Sequence, residues 1–187
     1  LPLDWSRREY AELLRTSGGK ERLAVYVDSL PLPDTEKKRL KALVPLIHAT
    51  KTRIYGELIA YGRAPLRSGV ARLIGEARAA GLRLGIASTT TSANVSALIG
   101  AQFGAEAWNW FEALACGDVV AHKKPAPDIY VRALGMLRLP AEACIAFEDS
   151  VNGLKSAKAA GLYTVITPTQ WSAGQDFRGA DLLLQGL

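Results

Sequence analysis

Cys144-Ile145-Ala146-Phe147-Glu148-Asp149-Ser150-Val151-Asn152-Gly153 is the stretch that decides the fold. Its first four residues are a short apolar run, the mark of a buried strand. Two acids then follow, and a Ser at a helix-capping position opens a segment through Ala160 that ends at Gly161. Adjacent carboxylates at the end of a buried strand are costly unless they face a cation or cap a helix. Both uses remain open for Glu148 and Asp149 on this stretch alone.

Outward from it, the same strand–helix unit recurs. Leu162–Thr167 is a second apolar strand, and Asp181–Leu184 a weak last one. On the N-terminal side, Arg83–Ala87 is a strand followed by a helix over Ser92–Gly100. Ala113–Cys116 is a further strand, and Pro127 at a first helical position opens a helix over Asp128–Leu137. Ser68 is expected to cap a helix over residues 69–80. This repetition predicts an α/β fold with a doubly wound parallel sheet and helices on both faces. Residues 1–64 read differently. They give a helix near Trp5–Leu14, a break at Gly18-Gly19, a helix over Lys20–Leu30, and a long helix from Asp34 to Tyr61 that Pro45 kinks or restarts. The expected organisation is a helical cap over 1–64 and an α/β core over 65–187.

Composition narrows the function. The 187 residues are 49% hydrophobic and 22% charged, which fits a folded globular chain and excludes a disordered one. Two cysteines build no disulfide framework and suit a reducing compartment. The net charge is +5, of which +4 falls in residues 1–64. With no arginine-rich arm and no aromatic-basic stripe, a small anionic substrate explains this local excess better than nucleic acid does. No apolar run approaches the length of a membrane helix.

Ligands of such sheets bind beyond the carboxyl ends of the strands. Three polar clusters fall there. Ser88-Thr89-Thr90-Thr91 follows the first strand and precedes a helix, as an anion site or a simple cap. Lys123-Lys124-Pro125-Ala126-Pro127-Asp128 precedes the next helix, as a fixed cation or a solvated basic turn. Glu148-Asp149 is the third.

Taken in this order, Ser88, Lys124-Pro125-Ala126-Pro127-Asp128 and Glu148-Asp149-Ser150-Val151-Asn152-Gly153 resemble the haloacid-dehalogenase-like phosphatase superfamily over about residues 66–170. In the cap, Thr16-Ser17-Gly18-Gly19-Lys20-Glu21-Arg22 and His48-Ala49-Thr50-Lys51-Thr52 resemble its CbbY-like branch, sugar-bisphosphate phosphatases associated with the Calvin cycle and similar to xylulose-1,5-bisphosphate phosphatase. Ser88 through Asn94 looks like the Thr-rich phosphate loop of that branch. Ser68 stands where the family usually has Pro.

The resemblance implies roles. Ser88, Thr89, Thr90 and Asn94 would hold the transferring phosphate, and Lys124, preferred over Lys123, would neutralise its oxygens. Asp149, supported by Glu148, would bind Mg²⁺. Gly19, Lys20 and Arg22 would meet a distal phosphate, with His48 and Lys51 reaching the sugar or that phosphate. The implied partner is a small phosphorylated sugar, with neither nucleic acid nor membrane, and the implied state a cytoplasmic or plastid monomer. The family's Asp-x-Asp-Gly-Thr segment, source of the attacking carboxylate and the general acid/base, does not occur in these 187 residues. The expectation is an N-terminally truncated member that is inactive and folds poorly alone, its first strand missing between Arg83–Ala87 and Cys144–Phe147. A phosphosugar-binding pseudoenzyme and a phosphosugar mutase are the alternatives.

Overall fold

The computed structural model describes residues 4–117 and 119–186. The chain divides into two compact units, residues 1–55 and 56–187.

The first unit is helical. Ser6 and Glu9 form a reciprocal capping box that starts α1 (Arg7–Leu13). Gly18, at φ +90°, turns the chain into α2 (Gly19–Ser29), a conformation that favours glycine. Trp5 stacks on Tyr10 and meets Tyr26 edge-on, which ties the entry of α1 to α2. The long helix expected from Asp34 to Tyr61 is two helices, α3 (Asp34–Ala42) and α4 (Val44–Ala60). Pro45 marks a start here: in the first turn its missing N–H breaks no intrahelical bond. The boundary between the two units falls inside α4.

The second unit alternates helix and strand. Gly69, at φ +83°, rather than Ser68, is the N-cap of α5 (Val70–Ala79). Then come β1 (Leu84–Ser88), α6 (Ser92–Phe103), a 3-10 turn over Ala105–Trp110, and β2 (Phe111–Cys116). They are followed by α7 (Asp128–Leu137), β3 (Ile145–Glu148), α8 (Val151–Ala159), β4 (Tyr163–Ile166) and β5 (Leu182–Leu183). Every paired strand is parallel. β1 pairs with β2, Ile86 opposite Leu114. β3 pairs with β4, Ala146 opposite Thr164, and β4 with β5. These are two separate sheets, and among the described residues β1 and β3 do not pair with each other.

One helix serves both sheets. Ile129, Tyr130, Ala133 and Leu137 lie on one face of α7 and are buried. They share a core with Ala113 and Ala115 of β2, Ala146 of β3 and Ala157 of α8. The small β-sheet residues allow close approach. At Gly85 a Cβ would sit 3.2 Å from the Ala113 methyl and 3.4 Å from Leu137 Cδ1. A second cluster, Val95, Ile99, Ala107 and Cys116, closes the outer side of the first sheet. Trp110 lies at its edge against Phe103, under the Arg78 guanidinium at 3.7 Å. Among the described residues no helix is long and apolar enough to cross a membrane.

Candidate active site

The loop between β2 and α7 is held at several points. The Asp128 carboxylate accepts from the His122 backbone N–H at 3.2 Å and meets its ring Nδ1 at 3.0 Å. The Ser156 hydroxyl of α8 donates to the Ala126 carbonyl at 2.6 Å, and Ala126 N–H to the Lys123 carbonyl. The Lys124–Pro125 peptide is cis. This loop brings Lys124 to the ends of the strands. Lys124 Nζ donates to the Ala87 carbonyl on β1 at 3.0 Å and to Glu148 Oε1 on β3 at 2.5 Å. One side chain therefore touches both sheets at their carboxyl ends.

Glu148 is the hub. The alternation of β3, with Ile145 and Phe147 exposed and Ala146 and Glu148 buried, turns its side chain inward. The Tyr130 hydroxyl donates to the same Oε1 at 2.5 Å, and the Lys124 ammonium lies 4.8 Å from the Tyr130 ring. Oε2 accepts from the Asp149 backbone N–H at 3.3 Å. Gly153, in the first turn of α8, leaves room for this carboxylate: a Cβ there would overlap it. Burial and the Glu148 charge push the Tyr130 phenol far above its ordinary value, so it stays a proton donor.

Asp149 lies one residue past β3 and is solvent-accessible. Partial desolvation and the Glu148 charge raise its carboxyl above the usual range, while Arg67 and Lys124 pull it back. Arg67 reaches this region from the approach to α5. Its guanidinium donates to the carbonyls of Thr167 at 2.8 Å and Pro168 at 2.9 Å, just after β4.

The Thr-rich turn begins at Ser88, the last residue of β1. Its hydroxyl oxygen accepts from the Thr90 N–H at 3.2 Å. Thr91 is the N-cap of α6 and accepts from the Asn94 N–H at 3.3 Å. The buried Asn94 side chain donates to the Thr90 hydroxyl at 3.1 Å. Both Ser88 and Thr90 thus receive a hydrogen bond on oxygen and keep an O–H to give. Thr89 lies between them.

Ser88, Lys124, Glu148 and Asp149 are accordingly neighbours at one end of the strands. The residues singled out in the first unit form a group of their own. Gly19 opens α2 directly beside His48 of α4, where a Cβ would come within 2.7 Å of His48 Cδ2. Lys20 is exposed. The Arg22 guanidinium donates to the carbonyls of Leu13 at 3.2 Å and Thr16 at 3.3 Å, so part of its fork closes the end of α1. The Lys51 ammonium is held below the ordinary lysine range by partial desolvation and by the Arg22 charge.

A hard dication suits the Glu148–Asp149 pair. Asp149 is accessible, and its raised carboxyl is the electrostatic situation that a cation relieves. Among the described residues no group of three or more His, Cys, Asp or Glu side chains is close enough to hold a metal. An ion here would take the remainder of its shell from water and substrate, as Mg²⁺ commonly does.

Three contributors escaped the sequence reading: the Tyr130 hydroxyl, Arg67, and Gly153 as the space for Glu148. Only Gly153 left a signal, as a glycine inside a helix turn; the other two depend on contacts 18 and 100 positions away.

A profile of haloacid dehalogenase-like hydrolases matches residues 4–161. The chain is 52% identical to protein CbbY of Rhodobacter capsulatus over 95% of this chain and 76% of that one. It is 36% identical to a CBBY-like protein of Arabidopsis thaliana over 97% of this chain and 57% of that one. Its structure matches that of CbbY from Rhodobacter sphaeroides solved with xylulose-1,5-bisphosphate, with a TM-score of 0.82 and 43% identity, covering 99% of this chain and 80% of that one.

Proposed function

The chain belongs to the haloacid dehalogenase-like hydrolase family, and on that premise we propose that it is the phosphate-holding part of a Mg²⁺-dependent phosphatase acting on a sugar bisphosphate such as xylulose-1,5-bisphosphate. The observation that carries this reading is Lys124, placed by a braced loop between Ala87 and Glu148 beside the hydroxyls of the Ser88 turn.

In this reading Ser88, Thr90 and the N–H groups at the start of the Thr-rich turn bind the reacting phosphate, with Asn94 fixing Thr90. Lys124 spends two donors on the protein and has a third for a phosphoryl oxygen. Its charge matters most where negative charge grows in the transition state. Asp149 and Glu148 are the residues that would hold Mg²⁺, which supplies charge neutralisation to the phosphate when bound. In the first unit Gly19, Lys20, Arg22, His48 and Lys51 are the candidates for the distal phosphate and the sugar. The partner is a small phosphorylated sugar, the working state a monomer, and the setting cytoplasmic or plastid. Residues 1–64 act as the cap and 65–187 as the core.

A second reading, phosphosugar binding without turnover, is favoured by one observation: no Asp-x-Asp-Gly-Thr segment, the family's source of the attacking carboxylate, occurs in the 187 residues. One experiment separates the two. Residues 1–187, and the same chain preceded by an Asp-x-Asp-Gly-Thr strand, are assayed for Mg²⁺-dependent phosphate release from xylulose-1,5-bisphosphate. The extended form turns over and the shorter one does not. In the extended form Lys124→Ala lowers kcat, whereas Lys20→Ala raises KM for the bisphosphate and spares small monophosphates. Absence of turnover in both forms leaves the binding reading.

A further inference from the structure

We propose that Tyr130 is a positioning residue for Lys124: phenol and ammonium share Glu148 Oε1, and this common acceptor keeps the ammonium at the carboxyl ends of β1 and β3. The purpose of that placement rests on the phosphatase reading, but the geometry stands without it.

The three groups are enclosed. Tyr130 is 8% exposed, and the side chains of Lys124 and Glu148 are 12% and 7% exposed. A fully satisfied buried polar network is rigid, and Glu148 has two donors on Oε1 and one on Oε2. Tyr130 enters from α7, whose packing against both sheets fixes the ring. Because Lys124 lies in the loop before that same helix, α7 delivers both donors to Oε1. The division of labour within Glu148 follows. Oε1 is committed to Lys124 and Tyr130, and Oε2 is the oxygen turned toward the Asp149 backbone. A divalent cation would then meet Asp149 first, with Glu148 available only through Oε2.

The test measures how fast Lys124 is acetylated by N-hydroxysuccinimidyl acetate, read by peptide mass spectrometry. It uses the protein, Tyr130→Phe, Glu148→Gln and the double variant, each checked for a cooperative thermal melt. Tyr130→Phe keeps the ring and removes only the hydroxyl. It raises the labelling rate about tenfold, the scale of one hydrogen bond to a charged group. Glu148→Gln raises it at least as much, and Tyr130→Phe added to Glu148→Gln changes it by less than about twofold, because the shared acceptor is gone. A general packing role would give the same increment in both backgrounds, and that result overturns the proposal, as does an unchanged rate in Tyr130→Phe. Should Tyr130→Phe not melt cooperatively, the unsubstituted protein decides. Lys124 then labels at least about tenfold more slowly than the exposed Lys38, and equal rates overturn the proposal. Binding of inorganic phosphate by calorimetry is run alongside. If the unsubstituted protein binds none, the phosphatase reading fails while the labelling rates still judge Tyr130.

Discussion

Lys124 and Glu148 are 24 positions apart and meet at 2.5 Å, Nζ to Oε1, in surroundings that leave both side chains almost fully covered. The lysine also reaches the Ala87 carbonyl, so a single ammonium links two sheets that share no strand pairing among the described residues.

A first expectation concerns that pair. Lys124→Met strands a buried carboxylate and lowers stability by about 3–5 kcal/mol in urea unfolding. Adding Glu148→Gln to Lys124→Met removes the unpaired charge and recovers part of the loss. A Lys124→Met variant as stable as the parent would show that the pair contributes little.

Gly153→Ala tests the space around Glu148. The new methyl overlaps the carboxylate and forces it from Lys124 and Tyr130, costing about 1–3 kcal/mol or more as overpacking. Gly75→Ala in α5, where a Cβ meets nothing within 4 Å, is the control. It is neutral, or stabilising by up to about 1 kcal/mol through helix propensity. Equal effects at both positions would contradict the crowded geometry at Gly153.

Asp149→Asn separates charge from shape. In the folded protein the Asp149 carboxyl is raised, so its ionised form is disfavoured relative to the unfolded chain. Without metal at neutral pH, the Asn variant therefore melts at the same temperature or higher, and any advantage fades as pH falls through the raised value. Added Mg²⁺ raises the melting temperature of the parent and leaves that of Asp149→Asn unchanged. A Mg²⁺ effect that survives the substitution would move the cation elsewhere.

Asp181 has the opposite sign. It accepts from Lys158 Nζ at 2.7 Å and the Thr164 N–H at 2.7 Å, and these bonds hold its carboxyl below the ordinary range. Its stabilisation is present above the unfolded carboxylate value, about 3.9, and is lost as pH falls through the lower folded value. Asp181→Asn thus melts below the parent at pH 7, with a difference that disappears in strong acid. A constant difference across that range would mean that packing, rather than charge, links β4 to β5.

What the sequence by itself determined is local. Apolar runs of strand length, turn glycines and capping residues set the order of β1–β5 and α5–α8, because each is a property of neighbours in the chain. The same holds for the Ser88 turn and the Glu148-Asp149 pair, since a residue at a strand's end is carried to the sheet's carboxyl end whatever lies around it, whereas Lys124 is brought there by the loop before α7. Helix boundaries were less legible. Pro45 suits a kink or a start equally, and only the packed structure opens a new helix there.

Tertiary structure alone decided which atoms meet. The alternation of β3 turns Glu148 inward, and Asp149 lies beyond its end, so two adjacent acids have different partners. Tyr130 gains its role only when the fold brings Glu148 under its hydroxyl. Arg67 finds its partners only when the carbonyls of Thr167 and Pro168 arrive beside it. The physical reason is that periodicity records which face of an element is buried, whereas a hydrogen bond across the fold depends on register and helix placement, which no spacing along the chain encodes.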